Sequence, residues 1–320
     1  MTRASFRTFR TAFAPLALLL GLVLTGPACA PAPATAPAPA PGEATDLPLW
    51  ELSHRGSTLY LLGSVHLLRP EVYPLDPAIY DAFGAAEVVA FELDFNEMMA
   101  AAPLMVQVGT YQDGRTIRDV LPADLYAGVA ERFVELGMPM QVVDPMKPWM
   151  AALNLSALVL QAGGYEAAAG IDMHFHERAR QAGMEIVGLE TVEEQLQVFD
   201  GLDEEAQISM LHSTLEQLDD TVAELDRATG LWQRGDAEGL AEMFIEQMGD
   251  QPEVLERLLY ERNRNWIPQI EALLRRPHTA IVIVGMGHLV GEGSVIELLR
   301  ERGYEVRQLL GERAAVAAGG

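Results

Sequence analysis

Cysteine is nearly missing from this chain of 320 residues, Cys29 being the only one. Without a second thiol there is no intrachain disulfide, no CxxC redox pair and no cysteine-based structural zinc site. Lysine is equally scarce: Lys147 stands alone, and arginine supplies the remaining positive charge. Acidic residues outnumber basic ones by 46 to 22, giving a formal charge of −24 and a pI near 4.5. That balance excludes a nucleic-acid partner or an anionic membrane surface, because phosphate recognition needs dense Lys and Arg. The HExxH zinc signature is absent. Past the N-terminal region no charge-free apolar run of about 18 residues occurs, so no transmembrane helix is expected there.

Apolar residues are plentiful, at 49% of the chain. This is enough for one large domain, or for one domain carrying an inserted subdomain. Arg3, Arg7 and Arg10 precede the apolar run AFAPLALLLGLVL, the pattern of an export signal over residues 1–28. Cys29 follows directly and sits where bacterial lipoproteins carry their lipid, although Gly26 replaces the usual Leu of that motif. Lipid anchoring at Cys29 and ordinary cleavage near Ala34 are the two readings. Residues 29–46, rich in Pro and Ala, form a tether that cannot build a core. The folded domain is expected over 47–311, with 312–320 as a flexible tail.

Two stretches dominate the domain. TLYLLGSVH and TAIVIVGMGH are each a buried-strand pattern closed by a GxxH motif, placing His66 and His288 just past two strand ends more than two hundred residues apart. In open α/β sheets ligands bind at such ends, so both histidines are expected at one site. PLWELSH and TLYLLGSVH read as a hairpin turning at Arg55, Gly56 and Ser57. A helix should start at Pro77 with Asp76 as its cap. AEVVAFELDF is a further buried strand that delivers Glu92 and Asp94, and MEIVGLE brings Glu190 to another strand end.

Residues 96–164 and 191–275 carry helical periodicity and read as insertions, the first as a subdomain or lid. GIDMHFHERARQAG reads as a helix from Asp172 to Gly183, with Asp172 as its cap. His174 and His176 cannot share a helix face, so packing roles suit them better than metal binding. Trp149, Trp232 and Trp266 read as packing anchors.

A metal site needs imidazole and carboxylate donors converging from rigid elements. His66, His288 and Glu92 meet that description; Asp94 and Glu190 could orient the imidazoles or act as general base. Glu92 could instead pair with Arg262 as a buried ion pair. The residues leave both readings open.

LLGSVH, FELD, GIDMHF, GLETVEEQL, ERNRNW and VGMGHLVGEGSV, in that order, resemble the TraB/GumN family. This family includes bacterial pheromone-shutdown proteins and is similar to the animal Tiki proteins, which are metal-dependent proteases. The resemblance implies a mixed α/β sheet with a strand-end active site and a large helical insertion, of erythromycin-esterase-like or haem-binding ChaN-like architecture. It implies His66, His288 and Glu92 as metal ligands, with Glu92 and Arg262 in catalytic roles. The implied cofactor is a divalent ion, with manganese, cobalt and zinc all open. The expected activity is peptidase-like hydrolysis of a peptide or small-molecule substrate. The alternatives are a non-catalytic module that sequesters such a molecule and a metal-free esterase.

Overall fold

The computed structural model describes residues 45–248, 252–275 and 277–311. The expected export signal, Cys29 and most of the tether lie outside these residues, as does the C-terminal tail.

Six strands form one mixed sheet in the order β4-β3-β5-β2-β1-β6. These are β1 (Thr45–His54), β2 (Ser57–Ser64), β3 (Val88–Phe91), β4 (Glu185–Gly188), β5 (Thr279–Gly285) and β6 (Val306–Gly311). β1 and β2 make the expected hairpin, in which His54 pairs with Ser57 across a loop of only Arg55 and Gly56. Both loop residues have positive φ, 50° and 88°, the backbone that matches the right-handed twist of the flanking strands. β6 joins β1 antiparallel at the edge.

The other four strands, β4, β3, β5 and β2, run parallel. Their sequences are apolar almost throughout because both faces are covered; Leu59, Leu61, Val89, Ala90, Ile281 and Val282 are fully buried. Parallel pairing has a direct consequence for function. It puts the C-terminal ends of all four strands along one side of the sheet, level with each other: Ser64 pairs with Gly285, and Phe91 with both Ile283 and Gly188.

Helices carry the parallel crossovers. α1 (Pro77–Ala85) links β2 to β3, capped by Asp76, which accepts from Ala78 N at 2.9 Å. Between β3 and β4 run α2 (Phe95–Ala100), α3 (Ala102–Gly109), α4 (Ala123–Glu135), α5 (Pro148–Ala162) and α6 (Ile171–Ala182). Between β4 and β5 run α7 (Val192–Asp200), α8 (Glu204–Glu216), α9 (Thr221–Gln233), α10 (Ala237–Met248) and α11 (Glu261–Leu273). α12 (Val295–Glu301) returns the chain to β6. α5 packs on α8, and Trp149 stacks on Phe199 at 5.7 Å, so the two helical stretches share a core. Among the described residues no helix is long and apolar enough to cross a membrane.

α6 departs from expectation at its start. Its cap is Gly170 and its first residue Ile171, so Asp172 is already inside the helix and its side chain makes no cap bond. Glycine is required at 170 because a Cβ there would overlap the carbonyl oxygen of His66. The far end is as expected, with Gly183 in the left-handed region at φ 67°.

Candidate functional site

Each parallel strand delivers one polar residue to the same place. His66 lies just past β2, Glu92 immediately after β3, Glu190 after β4 and His288 after β5. His66, Glu92 and His288 are buried, with exposures of 5%, 6% and 0%, and the side chain of Glu190 is 6% exposed. Polar groups this deep require partners, and the partners define the site.

Glu92 is at the centre. Its Oε1 accepts from Gly285 N at 2.6 Å and faces both imidazoles, 3.9 Å from His66 Nε2 and 3.8 Å from His288 Nε2. Its Oε2 is bound by Arg262 Nη2 at 2.6 Å. The two sequence readings of Glu92 are therefore not exclusive: one oxygen is in the ion pair and the other addresses the histidines.

Each imidazole is gripped at Nδ1. His66 Nδ1 is 3.0 Å from Asp172 Oδ1. A carboxylate only accepts, so Nδ1 carries the proton and Nε2 points towards Glu92. That Nε2 is buried with no hydrogen-bond partner. His288 Nδ1 is 2.6 Å from Asn263 Oδ1, and Asn263 Nδ2 donates to Gly293 O at 2.9 Å, which fixes the amide's orientation. His288 therefore also donates from Nδ1, and its Nε2 lone pair accepts from Arg262 Nη1 at 3.0 Å. Trp266 closes the site, its ring 4.4 Å from that of His288.

Arg262, on α11, is completely engaged. Nε and Nη2 bind Glu190 at 3.0 and 2.5 Å, Nη2 also binds Glu92, and Nη1 reaches Leu258 O at 2.9 Å as well as His288. Its N–H groups are all used within the protein, leaving none for a substrate in this arrangement. Glu190 is braced further by Gln195 at 3.1 Å and Trp266 Nε1 at 3.2 Å.

The electrostatics separate the two imidazoles. Burial pushes His66 down, but the adjoining Asp172 and Glu92 carboxylates outweigh it and its pKa is raised. His288 is pushed well below the ordinary histidine range by burial, then by Arg262 and His66. Burial raises Glu190 despite the opposing pull of Arg262. Arg262, although burial opposes its charge, is held firmly protonated by Glu190 and Glu92.

Several sequence expectations need correction. Asp172 is an imidazole partner rather than a helix cap. Asp94 orients neither His66 nor His288, whose ring nitrogens meet Asp172, Asn263 and Arg262. It instead caps α2, accepting from Asn96 N, and meets His176 Nε2 at 3.2 Å. Trp266 is a packing residue as expected, but it also borders the site. The roles of Asn263 and Gln195 had no signal beyond their adjacency to Arg262 and to the GLET segment.

Among the described residues no group of three or more His, Cys, Asp or Glu is already set to hold a metal ion. The donor chemistry nevertheless suits one. Two donors bound to one ion at ~2.1 Å each are at most about 4.2 Å apart, and both imidazole nitrogens lie within that span of Glu92 Oε1. His66 Nε2 is the buried, unpartnered atom such an ion would satisfy, and Asp172 and Asn263 grip the far sides of both rings. Arg262 Nη1 is the group that would have to leave His288.

The profile of the TraB/PrgY/gumN family matches residues 48–308. Metalloprotease TIKI2 of Danio rerio is 22% identical over 300 residues, 77% of this chain and 57% of its own length. Metalloprotease TIKI1 of Danio rerio is 24% identical over 308 residues, 81% of this chain and 62% of its own. This chain therefore spans only about three fifths of those relatives. Uncharacterized protein YbaP of Escherichia coli (strain K12) is 22% identical over 248 residues, 75% of this chain and 87% of its own. No solved structure matches significantly.

Proposed function

Because the chain belongs to the TraB/PrgY/gumN family, we propose that it is a divalent-metal-dependent hydrolase, peptidase-like in its substrate, acting outside the cytoplasm. One observation carries the reading: the buried, unpartnered Nε2 of His66 faces Glu92 Oε1, whose other neighbour is His288 Nε2. The peptidase assignment is taken from relatives named as metalloproteases.

His66, His288 and Glu92 are the residues that would hold the ion. When bound, a divalent ion there lowers the pKa of a water and polarises the carbonyl under attack. Glu92 would either complete the set of ligands through Oε1 or serve as the proton acceptor, and Arg262 fixes Oε2 so that the carboxylate cannot swing away. Asn263 holds His288 in the tautomer whose Nε2 faces inward. Both imidazoles are buried, and the Trp266 ring lies against that of His288, which keeps bulk water from them. The export signal over residues 1–28, the lipid anchor at Cys29 and the erythromycin-esterase-like or ChaN-like ancestry belong to the same proposal.

A second reading, metal-free ester hydrolysis by His66 and Glu92, is favoured by the contact of Arg262 Nη1 with His288 Nε2, which opposes a cation there. Metal content decides between them. The purified protein, loaded in turn with manganese, cobalt and zinc, is expected to hold about one ion per chain and to cleave members of a peptide library. His66→Ala and His288→Ala, checked for folding by circular dichroism, should lose both properties. A wild-type protein that takes up none of the three ions would refute the metal-dependent reading.

A further inference from the structure

His66 depends on a second part of the chain for its orientation. Residues 65–68 and 166–172 are zipped together by their backbones: Leu68 N donates to Glu166 O at 3.3 Å, Glu166 N to Leu68 O at 2.9 Å, and Ile171 N to Val65 O at 3.1 Å. Gly170 lets the start of α6 press directly on the carbonyl of His66. These contacts fix the first turn of α6 against the GxxH loop, and Asp172 sits on that turn with its side chain only 6% exposed. One turn further on, His176 binds Asp94 behind β3, so the same helix face is tied to two strand ends.

We propose that Asp172 is a positioning residue for the site: it holds His66 as the Nδ1–H tautomer and so presents the Nε2 lone pair to Glu92. A carboxylate suits the task because it has no hydrogen to donate; an asparagine in its place could accept from Nδ1 or donate to it, and would tolerate either tautomer. Asp172 is not capping the helix and makes no other hydrogen bond seen among the described residues, which leaves the imidazole as its partner. What the held nitrogen does rests on the metal-dependent reading above; the holding itself does not.

The test separates the two. In metal-free full-length protein with 15N-labelled histidine, at a pH where His66 is neutral, the ring absent from the His66→Gln spectrum should show a single Nδ1–H signature. Asp172→Asn, close to isosteric and still in the first helical turn, should show averaged or mixed tautomers at that ring. With each of the three ions titrated separately, affinity should fall 10- to 100-fold in Asp172→Asn for any ion that wild type binds. Asp172→Ser, too short to reach the ring, is the second variant should the first not fold, with the same expectations. A single Nδ1–H signature persisting in the folded variant would overturn the proposal, whatever the metal titration gives. If wild type binds no ion, the metal-dependent reading fails while the tautomer comparison still decides the role of Asp172.

Discussion

Replacing Arg262 with methionine keeps an unbranched stem but, the side chain being shorter, withdraws the guanidinium and its charge from between Glu92 and Glu190. In the wild type the guanidinium sits among Glu92 Oε2, both oxygens of Glu190, Leu258 O and His288 Nε2. After replacement two buried carboxylates face each other without a counter-ion. Glu190 keeps Trp266 Nε1 and Gln195, and Glu92 keeps Gly285 N, but hydrogen bonds alone do not cancel two buried charges. Removing one partner of a buried pair costs about 3–5 kcal/mol, a large part of the 5–15 kcal/mol typical of a whole domain. Arg262→Lys should fall between, since an ammonium restores the charge but not the two-pronged grip on Glu190.

The cost should depend on pH in a definite direction. Glu190 already has a raised pKa from burial, with Arg262 the main cause pulling it back. Without Arg262 its folded pKa rises further above the unfolded value, so the variant is least penalised at low pH, where the carboxyl is protonated, and loses stability as pH rises through the folded pKa. Urea unfolding followed by tryptophan fluorescence and circular dichroism, with coincident transitions required, should show a deficit larger at pH 8 than at pH 5. Arg262→Met/Glu190→Gln should recover part of the loss. A deficit below about 1 kcal/mol at pH 8, or one independent of pH, would refute this account of the ion-pair network.

Gly285→Ala would put a methyl group 3.1 Å from Glu92 Oε1, 3.4 Å from His66 Nε2 and 3.6 Å from His288 Cδ2, against two of the three candidate donor atoms and the ring that carries the third. The expected outcome is a folded protein, less stable by ~1–3 kcal/mol, with ion uptake lost; full uptake would show that an ion sits elsewhere. His174, stacked on Tyr73 at 4.4 Å, has its pKa pushed down to about 4 by burial and by Arg178. Its folded pKa lies below its unfolded one, so it adds nothing to the pH dependence above about pH 6.5, and stability is lost as pH falls from there towards 4. His174→Gln should flatten the fall in unfolding free energy between pH 7 and 5; an unchanged slope would remove His174 from the acid sensitivity of the fold.

The local pattern determined a good deal here. Gly63 and Gly285 lie at the ends of strands that are apolar because both their faces are covered, His66 and His288 follow those strands, and Glu92 follows another. Period, glycine placement and the Asp76-Pro77 start of α1 are short-range properties, which is why the hairpin, the strand ends and the three candidate ligands were legible in sequence. What only the tertiary structure decided is which groups stand beside them. Strand order brings β5 between β3 and β2, so that Glu92 faces both histidines. Asp172, a plausible cap by its position near a helix start, becomes the partner of His66 because Gly170 and the backbone pairing of residues 65–68 carry that turn onto the GxxH loop. Asp94, two residues from Glu92, meets His176 rather than His66 or His288. Arg262 meets Glu92 across 170 positions of sequence, a pairing set by the packing of α11 against the strand ends rather than by any local preference. Secondary structure follows from forces that act within a few residues, whereas the partners of a buried charge are chosen by how the whole chain packs.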